Sequence, residues 1–288
     1  MRSIEHKTAK QKPDKNIIIF YHADCIDGFT SAWVAWKKFG NKADYFPHFH
    51  DDVLPKLVGK EIYCLDITFP DKQMLQLMKD NKRVTAIDHH ISRKEMTLAT
   101  FEPLYALDHS GCVLSWQYFF GSKPVPKFLL QIEDMDIWRH KIKGGRFLYM
   151  YLDLFDFNFV TWSKLIRDFE VLEKRKKMFA TGEVLFKHES RAVDRTIQTN
   201  AKLVTFEGFS VYAINVTRSG SETGHRLAKL KPPFSIMWRE KKDVVTVSLR
   251  GVGNIDCSAI AKKYGGGGHR LSAAFRLKSL VDIPWKSL

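Results

Sequence analysis

Long apolar runs are missing from this chain. No stretch approaches the roughly 18–20 consecutive apolar residues that a bilayer-spanning helix needs, so a transmembrane role is not expected. Cysteine is scarce too, at four in 288 residues. Cys25, Cys64, Cys112 and Cys257 are scattered without paired spacing. That pattern argues against a thiolate zinc site and for a reducing compartment, here the cytoplasm, with Cys64 and Cys112 read as small core residues. Acid is in deficit: 32 Asp and Glu face 46 Lys and Arg, a net charge of +14. Such a balance points to polyanionic partners. The excess is densest near the end, where Thr205 to Leu288 holds 14 Lys/Arg against 6 Asp/Glu.

What the chain does contain is a globular composition, 44% hydrophobic with 13% aromatics. At this length two domains, each with its own core, are expected. Residues 1–16 are polar and basic and read as a tail, with targeting to an organelle the lesser reading.

Three short apolar runs each end in groups able to bind a metal. Asn16 to Tyr21 leads to His22, Asp24 and Asp27. Glu61 to Leu65 leads to Asp66, and Val84 to Ile87 leads to Asp88-His89-His90. Buried parallel strands read this way, and open α/β sheets gather ligands at the carboxyl ends of their strands. Gly28 to Phe39 and Asp71 to Asn81 have helical spacing and supply the crossovers. The strand candidate Tyr45 to His50 puts His48 and His50 on one face, and we read them as structural.

Further helices are expected over Cys112 to Phe120, with Asp108 or Ser110 as cap, and from Lys127 to Glu133, delivering Asp134 and Asp136. One or two more should run from Thr161 to Ala201. Tyr149, Tyr151, Phe155, Phe157 and Phe159 lie in a stretch read as a loop whose aromatics belong to the core. Beyond residue 200 the pattern changes. Strands are expected at Ser210–Val216, Phe234–Arg239 and Val244–Leu249, with helices at Ser221–Leu230 and Asp256–Tyr264.

Carboxylates and imidazoles with few thiolates suit Mn2+ best, with Mg2+, Co2+ or iron as substitutes. Two such ions about 3.5–4 Å apart can clamp both oxygens of an in-line phosphoryl displacement. Gly265 to Gly268 would let backbone approach a phosphate, with Arg250 and His269 supplying charge.

Taken together, His22-Ala-Asp24-Cys-Ile-Asp27-Gly28, Asp66-Ile-Thr-Phe-Pro70, Asp88-His89-His90, Ser110-Gly111, Glu133-Asp134-Met-Asp136, Ser248-Leu-Arg250, Gly265-Gly-Gly-Gly-His269 and Ser272-Ala-Ala-Phe275 resemble the motifs of the DHH phosphoesterase family, in order, from about Ile17 to Phe275. The resemblance implies an α/β fold. A mostly parallel DHH domain (17–200) would face a smaller α+β C-terminal domain (201–288) across a cleft.

It also implies a division of labour. Asp66 would bridge two metals, with His22, Asp24, Asp27, His89 and Asp134 as further ligands. Asp88 would ligate or orient a histidine, and His90 would face the scissile phosphate. Arg250, Gly266, Gly267, Gly268 and His269 would bind substrate, with Arg218 and Ser258 as lesser candidates. Two departures stand out. Asp24 and Asp27 are three apart where many relatives space the acids by two, which makes Asp24 the weaker ligand. Ala274 stands where relatives often carry glycine.

The activity implied is two-metal hydrolysis of short oligonucleotides or linear or cyclic dinucleotides; a homodimer is a further expectation. The alternatives are an exopolyphosphatase, a small-metabolite phosphohydrolase, or a non-catalytic RNA- or protein-binding scaffold. A processive exonuclease is disfavoured, because it usually carries an added oligonucleotide-binding domain.

Overall fold

The computed structural model describes residues 14–49, 52–218, 220–241 and 244–288, so most of the basic tail and His50 lie outside the described residues. In chain order the first elements are β1 (Ile17–His22), α1 (Ile26–Phe39), β2 (Ala43–His48), β3 (Glu61–Leu65), α2 (Asp71–Asp80), β4 (Arg83–Asp88), α3 (Lys94–Leu98) and β5 (Leu104–Tyr105). Helices then follow: α4 (Gly111–Phe120), α5 (Lys127–Asp136), α6 (Gly145–Leu152), α7 (Phe159–Glu170) and α8 (Leu172–Asn200). The last part contains β6 (Lys202–Phe206), β7 (Phe209–Asn215), α9 (Gly220–Leu230), β8 (Phe234–Lys241), β9 (Val244–Gly251), α10 (Cys257–Lys263), β10 (Gly267–His269), β11 (Ser272–Leu277) and β12 (Lys286–Ser287). The chain divides into two compact units, one ending at Phe186 and the other starting at Lys187. The division falls inside α8, earlier than the boundary near 200 expected from composition.

In the first unit five parallel strands pair in the order β2-β1-β3-β4-β5. The strands are apolar on both faces because both are covered. Ile18, Phe20, Ile62, Cys64, Val84 and Ala86 pack with Met74 and Leu77 of α2. Their neighbours Ile19, Tyr21, Tyr63, Leu65 and Ile87 pack with residues of α1, α4, α5 and α7 on the other side. Chain order reverses between β1 and β3, which makes the crevice at their carboxyl ends the topological switch point.

The α-helical layer is tied together by buried polar contacts as well as by area. Trp162, fully buried, donates its indole N–H to Thr30 Oγ1 at 3.0 Å, and Trp33 donates to Ser163 Oγ at 2.9 Å. Asn158 caps α7 by accepting from the Val160 and Thr161 amides. Of the aromatic stretch expected as a loop, Tyr149 and Tyr151 belong to α6 and Phe159 opens α7, while Phe155 and Phe157 lie in the connection between them. The glycine start of α6, Gly144-Gly145, offers no side-chain cap to announce a helix. Tyr149, Tyr151, Phe155, Phe157 and Phe159 do pack on the core.

The second unit is α+β. Its seven strands run β10-β11-β9-β8-β7-β6-β12, antiparallel except for the β7–β8 pair. β9 alternates buried and partly exposed residues along its length, as a strand with one covered face should. Among the described residues no helix is long and apolar enough to cross a membrane.

Candidate metal centre

The strand register sets the geometry. Tyr21 pairs with Leu65, and Leu65 with Ile87. The next residues, His22, Asp66 and Asp88, therefore line up along the carboxyl edge at the switch point. Asp66 adopts a left-handed backbone (φ 57°), and its amide donates to the Ile87 carbonyl at 2.8 Å. This turns the buried carboxylate into the crevice between its neighbours.

Asp66 faces two imidazoles with two different oxygens. Oδ2 lies 3.5 Å from His22 Nδ1, and Oδ1 lies 3.1 Å from His89 Nε2. His89 Nε2 is also 3.5 Å from Asp136 Oδ2. Three overlapping groups could each hold a metal ion: His22, Cys25 and Asp66; Asp27, His89 and Asp136; and Asp66, Asp88, His89 and His90.

Asp27 belongs to the first turn of α1 and is fully buried. Its Oδ1 accepts the Cys112 amide at 3.1 Å, which closes the start of α4. Its Oδ2 is buried without a hydrogen-bond partner. A buried unsatisfied carboxylate oxygen is costly, and a cation is the partner that relieves it. Gly111 is what admits α4 here. A Cβ at that position would stand 2.5 Å from Asp66 Cβ and 2.9 Å from Asp27 Oδ2.

Asp88 is fully buried and plays a different part. Its Oδ1 lies 2.7 Å from His90 Nδ1 and also accepts the His89 and His90 amides. Since a carboxylate only accepts, the His90 proton sits on Nδ1.

The electrostatics are those of crowded acids. Burial, then the nearby Asp66 charge, pushes Asp27 up to about 6. Asp136 is raised well above the ordinary value by burial, then by Asp27 and Asp66. Burial also opposes ionisation of Asp66, but the imidazoles of His22 and His89 beside it outweigh that and hold the carboxyl far down. Burial works against His89 too, yet Asp66 carries it up to about 10. For His90 the same contest, won by Asp88, ends at about 8. Cys25, raised by burial and by the Asp66, Asp136 and Asp27 charges, is a thiol at neutral pH.

The crevice thus gathers His22, Asp27, Asp66, Asp88, His89 and His90 from the expected set. Two expected ligands lie outside it. Asp24 is exposed, in a left-handed turn (φ 54°), and belongs to none of the three groups. Asp134 is buried but spends both oxygens on the loop after α5, accepting the Lys141 amide at 2.9 Å and the Ile142 amide at 3.0 Å. Asp136, the last residue of α5, faces the cluster instead. Asp108 is exposed and makes no cap: Ser110 holds the N-cap position of α4, and its amide is bound by Glu133 Oε2 at 3.1 Å. Cys25 was missed because a lone cysteine carries no ligand spacing. His48 packs edge-on against Phe20 and Phe69, as a structural histidine does.

In the second unit, the glycine run is not an open loop. Gly267, Gly268 and His269 form the edge strand β10. Gly266 approaches the Ala274 carbonyl too closely for any side chain, and Gly268 has φ 136°. His269 pairs with Ser272, and Ser272 with Arg250, so the three share one row and one face of the sheet although Arg250 lies some twenty residues earlier. Arg250 donates to Ser221 Oγ at 2.8 Å, and burial lowers its pKa. With Arg218, Ser221, Trp238 and Arg239 it lines a cavity of about 240 Å³. Ser258 is occupied elsewhere, donating to Asp256 Oδ1 at 2.6 Å.

No protein-family model matches the chain. It is 29% identical to an uncharacterized protein of Acanthamoeba polyphaga mimivirus, over 89% of this chain and 66% of that one, so it spans just under two thirds of that relative. Among solved structures it is similar to the pGpG-specific phosphodiesterase PggH from Vibrio cholerae, with TM-score 0.50 and 14% identity over 93% of this chain and 95% of that one. It is also similar to an exopolyphosphatase-related protein from Bacteroides fragilis, with TM-score 0.48 and 13% identity over 92% and 88%. The likeness to the phosphodiesterase is one of fold: a parallel α/β unit followed by an α+β unit.

Proposed function

We propose that this protein is a metal-dependent phosphoesterase of the DHH family that hydrolyses phosphodiester bonds of short oligonucleotides or of linear or cyclic dinucleotides. The observation that carries the reading is Asp66, whose two oxygens face separate imidazoles at 3.5 and 3.1 Å. Such a carboxylate could serve two cations at once. On this reading Asp66 and His22, with Cys25 beside them, would hold one ion, and Asp66, Asp27, His89 and Asp136 would hold the other. The oxygen-rich donor set suits manganese, with magnesium or cobalt as substitutes. When bound, a metal pair supplies positive charge against the phosphoryl oxygens and the leaving oxygen.

The chain's own residues do the rest. Asp88 anchors His90 through Nδ1, which fixes the ring for contact with a substrate phosphate oxygen. Asp27 holds the start of α4 against the cluster, so the ligands are in place before substrate arrives. In the second unit, the row of His269, Ser272 and Arg250 is a further place suited to phosphate.

The test is a hydrolysis panel with and without Mn2+: linear and cyclic dinucleotides, RNA and DNA oligomers of increasing length, polyphosphate and pyrophosphate. The proposal expects brisk, metal-dependent cleavage of two- and three-residue substrates that falls with length. Phosphate release from polyphosphate without nucleotide cleavage would replace this reading with an exopolyphosphatase.

A further inference from the structure

A cavity of about 320 Å³ lies within the first unit, where α5, α6 and α8 meet, and takes no part in the proposed metal centre. Its floor is apolar: Met135 from α5, Phe147 from α6 and Phe186 from α8. Its rim carries two cations, Lys143 and Arg146, with His140 beside them. Met135 is the residue before Asp136 on α5, so one helix contributes to both the cavity and the cluster.

The cavity is a built feature. The Phe147 and Phe186 rings meet edge to face with centroids 5.9 Å apart. Gly182 of α8 has its backbone against the Phe147 carbonyl with no room for a side chain, which brings α6 and α8 together at this point. The rim loop is held from below. Asp134 accepts the Lys141 and Ile142 amides, and its carbonyl accepts the His140 amide at 3.1 Å. Trp138 and His140 are kept in left-handed conformations (φ 57° and 51°) that residues with side chains rarely adopt. Lys143 and Arg146 make no ion pair among the described residues.

An aromatic floor under an unneutralised cationic rim suits a flat apolar ring that carries an anion. We infer that this cavity binds a nucleotide moiety of the substrate, its base on the Phe147–Phe186 floor and its phosphate on Lys143 and Arg146. It is a specificity site for nucleobase-bearing phosphodiesters. The inference rests on the phosphoesterase reading for its choice of substrate, but binding can be measured without turnover.

The experiment is calorimetric titration of the full-length protein with AMP and with ribose 5-phosphate, which carries the same phosphate and no base. The parent should bind AMP about tenfold or more tightly than ribose 5-phosphate, the preference expected from one stacked base. Phe147→Ala should erase that preference while leaving ribose 5-phosphate binding unchanged. Because Phe147 is partly buried, a second variant guards against misfolding. Lys143→Ala/Arg146→Ala changes only exposed side chains and should weaken both ligands alike. Equal affinity of the parent for the two ligands overturns the inference, and so does a preference that survives Phe147→Ala. If the base preference behaves as expected but no phosphodiester is hydrolysed, the cavity stands and the catalytic reading falls. If dinucleotides are hydrolysed and the preference is absent, the reverse holds.

Discussion

Asp27 Oδ1 accepts the backbone N–H of Cys112 at 3.1 Å, joining the first turn of α1 to the first turn of α4 across 85 residues. The other oxygen of the same carboxylate faces the cluster without a partner. One acid therefore closes a helix with one oxygen and leaves the other open to a cation. The close approach this requires is possible only because position 111 lacks a side chain.

The first prediction concerns that contact. Gly111→Ala must push α4 away from Asp66 and Asp27. A displacement near 1 Å at such a site costs about 100-fold in rate. Initial rates and bound metal per chain should both fall in this variant while far-UV circular dichroism stays that of the parent. Unchanged metal content would show that the α4 terminus does not shape the centre.

The second separates two neighbouring acids. Asp136→Ala should lower metal content and leave thermal stability close to the parent's. Asp134→Ala should leave the Lys141 and Ile142 amides without their charged acceptor, costing about 1–3 kcal/mol in chemical denaturation. Its metal content should change little. The opposite pattern would return Asp134 to the ligand set.

This pair also marks how far the sequence could be read. The strand ends were legible because short apolar runs break at His22, Asp66 and Asp88, and a parallel sheet must align such ends. Which acid of Glu133-Asp134-Met-Asp136 faces inward was not legible. It depends on where α5 stops and on a loop that turns back to take up Asp134. Asp24 misled for a related reason, since the left-handed turn that carries it away from the cluster has no signature in residue type alone. Cys25 and α6 left no readable signal, the one lacking ligand spacing and the other a capping side chain. The row of His269, Ser272 and Arg250 was half visible. The residues could be named, but strand pairing was needed to put them side by side.

Helix capping provides a third prediction, independent of metal. Asn158 holds two amides of α7 at 3.0 Å each, and Asn158→Ala should cost about 1 kcal/mol. Asn158→Asp, which keeps the acceptor, should recover most of it. Thermal melts of the three proteins at one pH would show the order, and equal midpoints would rule the cap out as a source of stability.

A fourth concerns acid. Glu207, in the turn between β6 and β7, takes hydrogen bonds from Lys263 and from Tyr264, and these hold its carboxyl below the ordinary value of 4.5. Above 4.5 the carboxylate is charged in both folded and unfolded chains, and its contribution to stability is fully present. As pH falls through the lower folded value the unfolded chain takes up the proton first, and that contribution is lost. Glu207→Gln should therefore be less stable than the parent at neutral pH and lose less on acidification. Parallel curves of stability against pH for the two proteins would contradict this.

The central claim is that Asp66 joins two cations in a centre that cleaves phosphodiesters. The most direct measurement is the rate of dinucleotide hydrolysis in chelated protein titrated with Mn2+, run beside the metal bound per chain. The parent should be inactive after chelation and recover activity as about two equivalents bind. Asp66→Asn, close in shape but uncharged, should bind fewer ions and stay inactive across the titration. Full activity in chelated parent, or a parent-like titration in Asp66→Asn, would contradict the account.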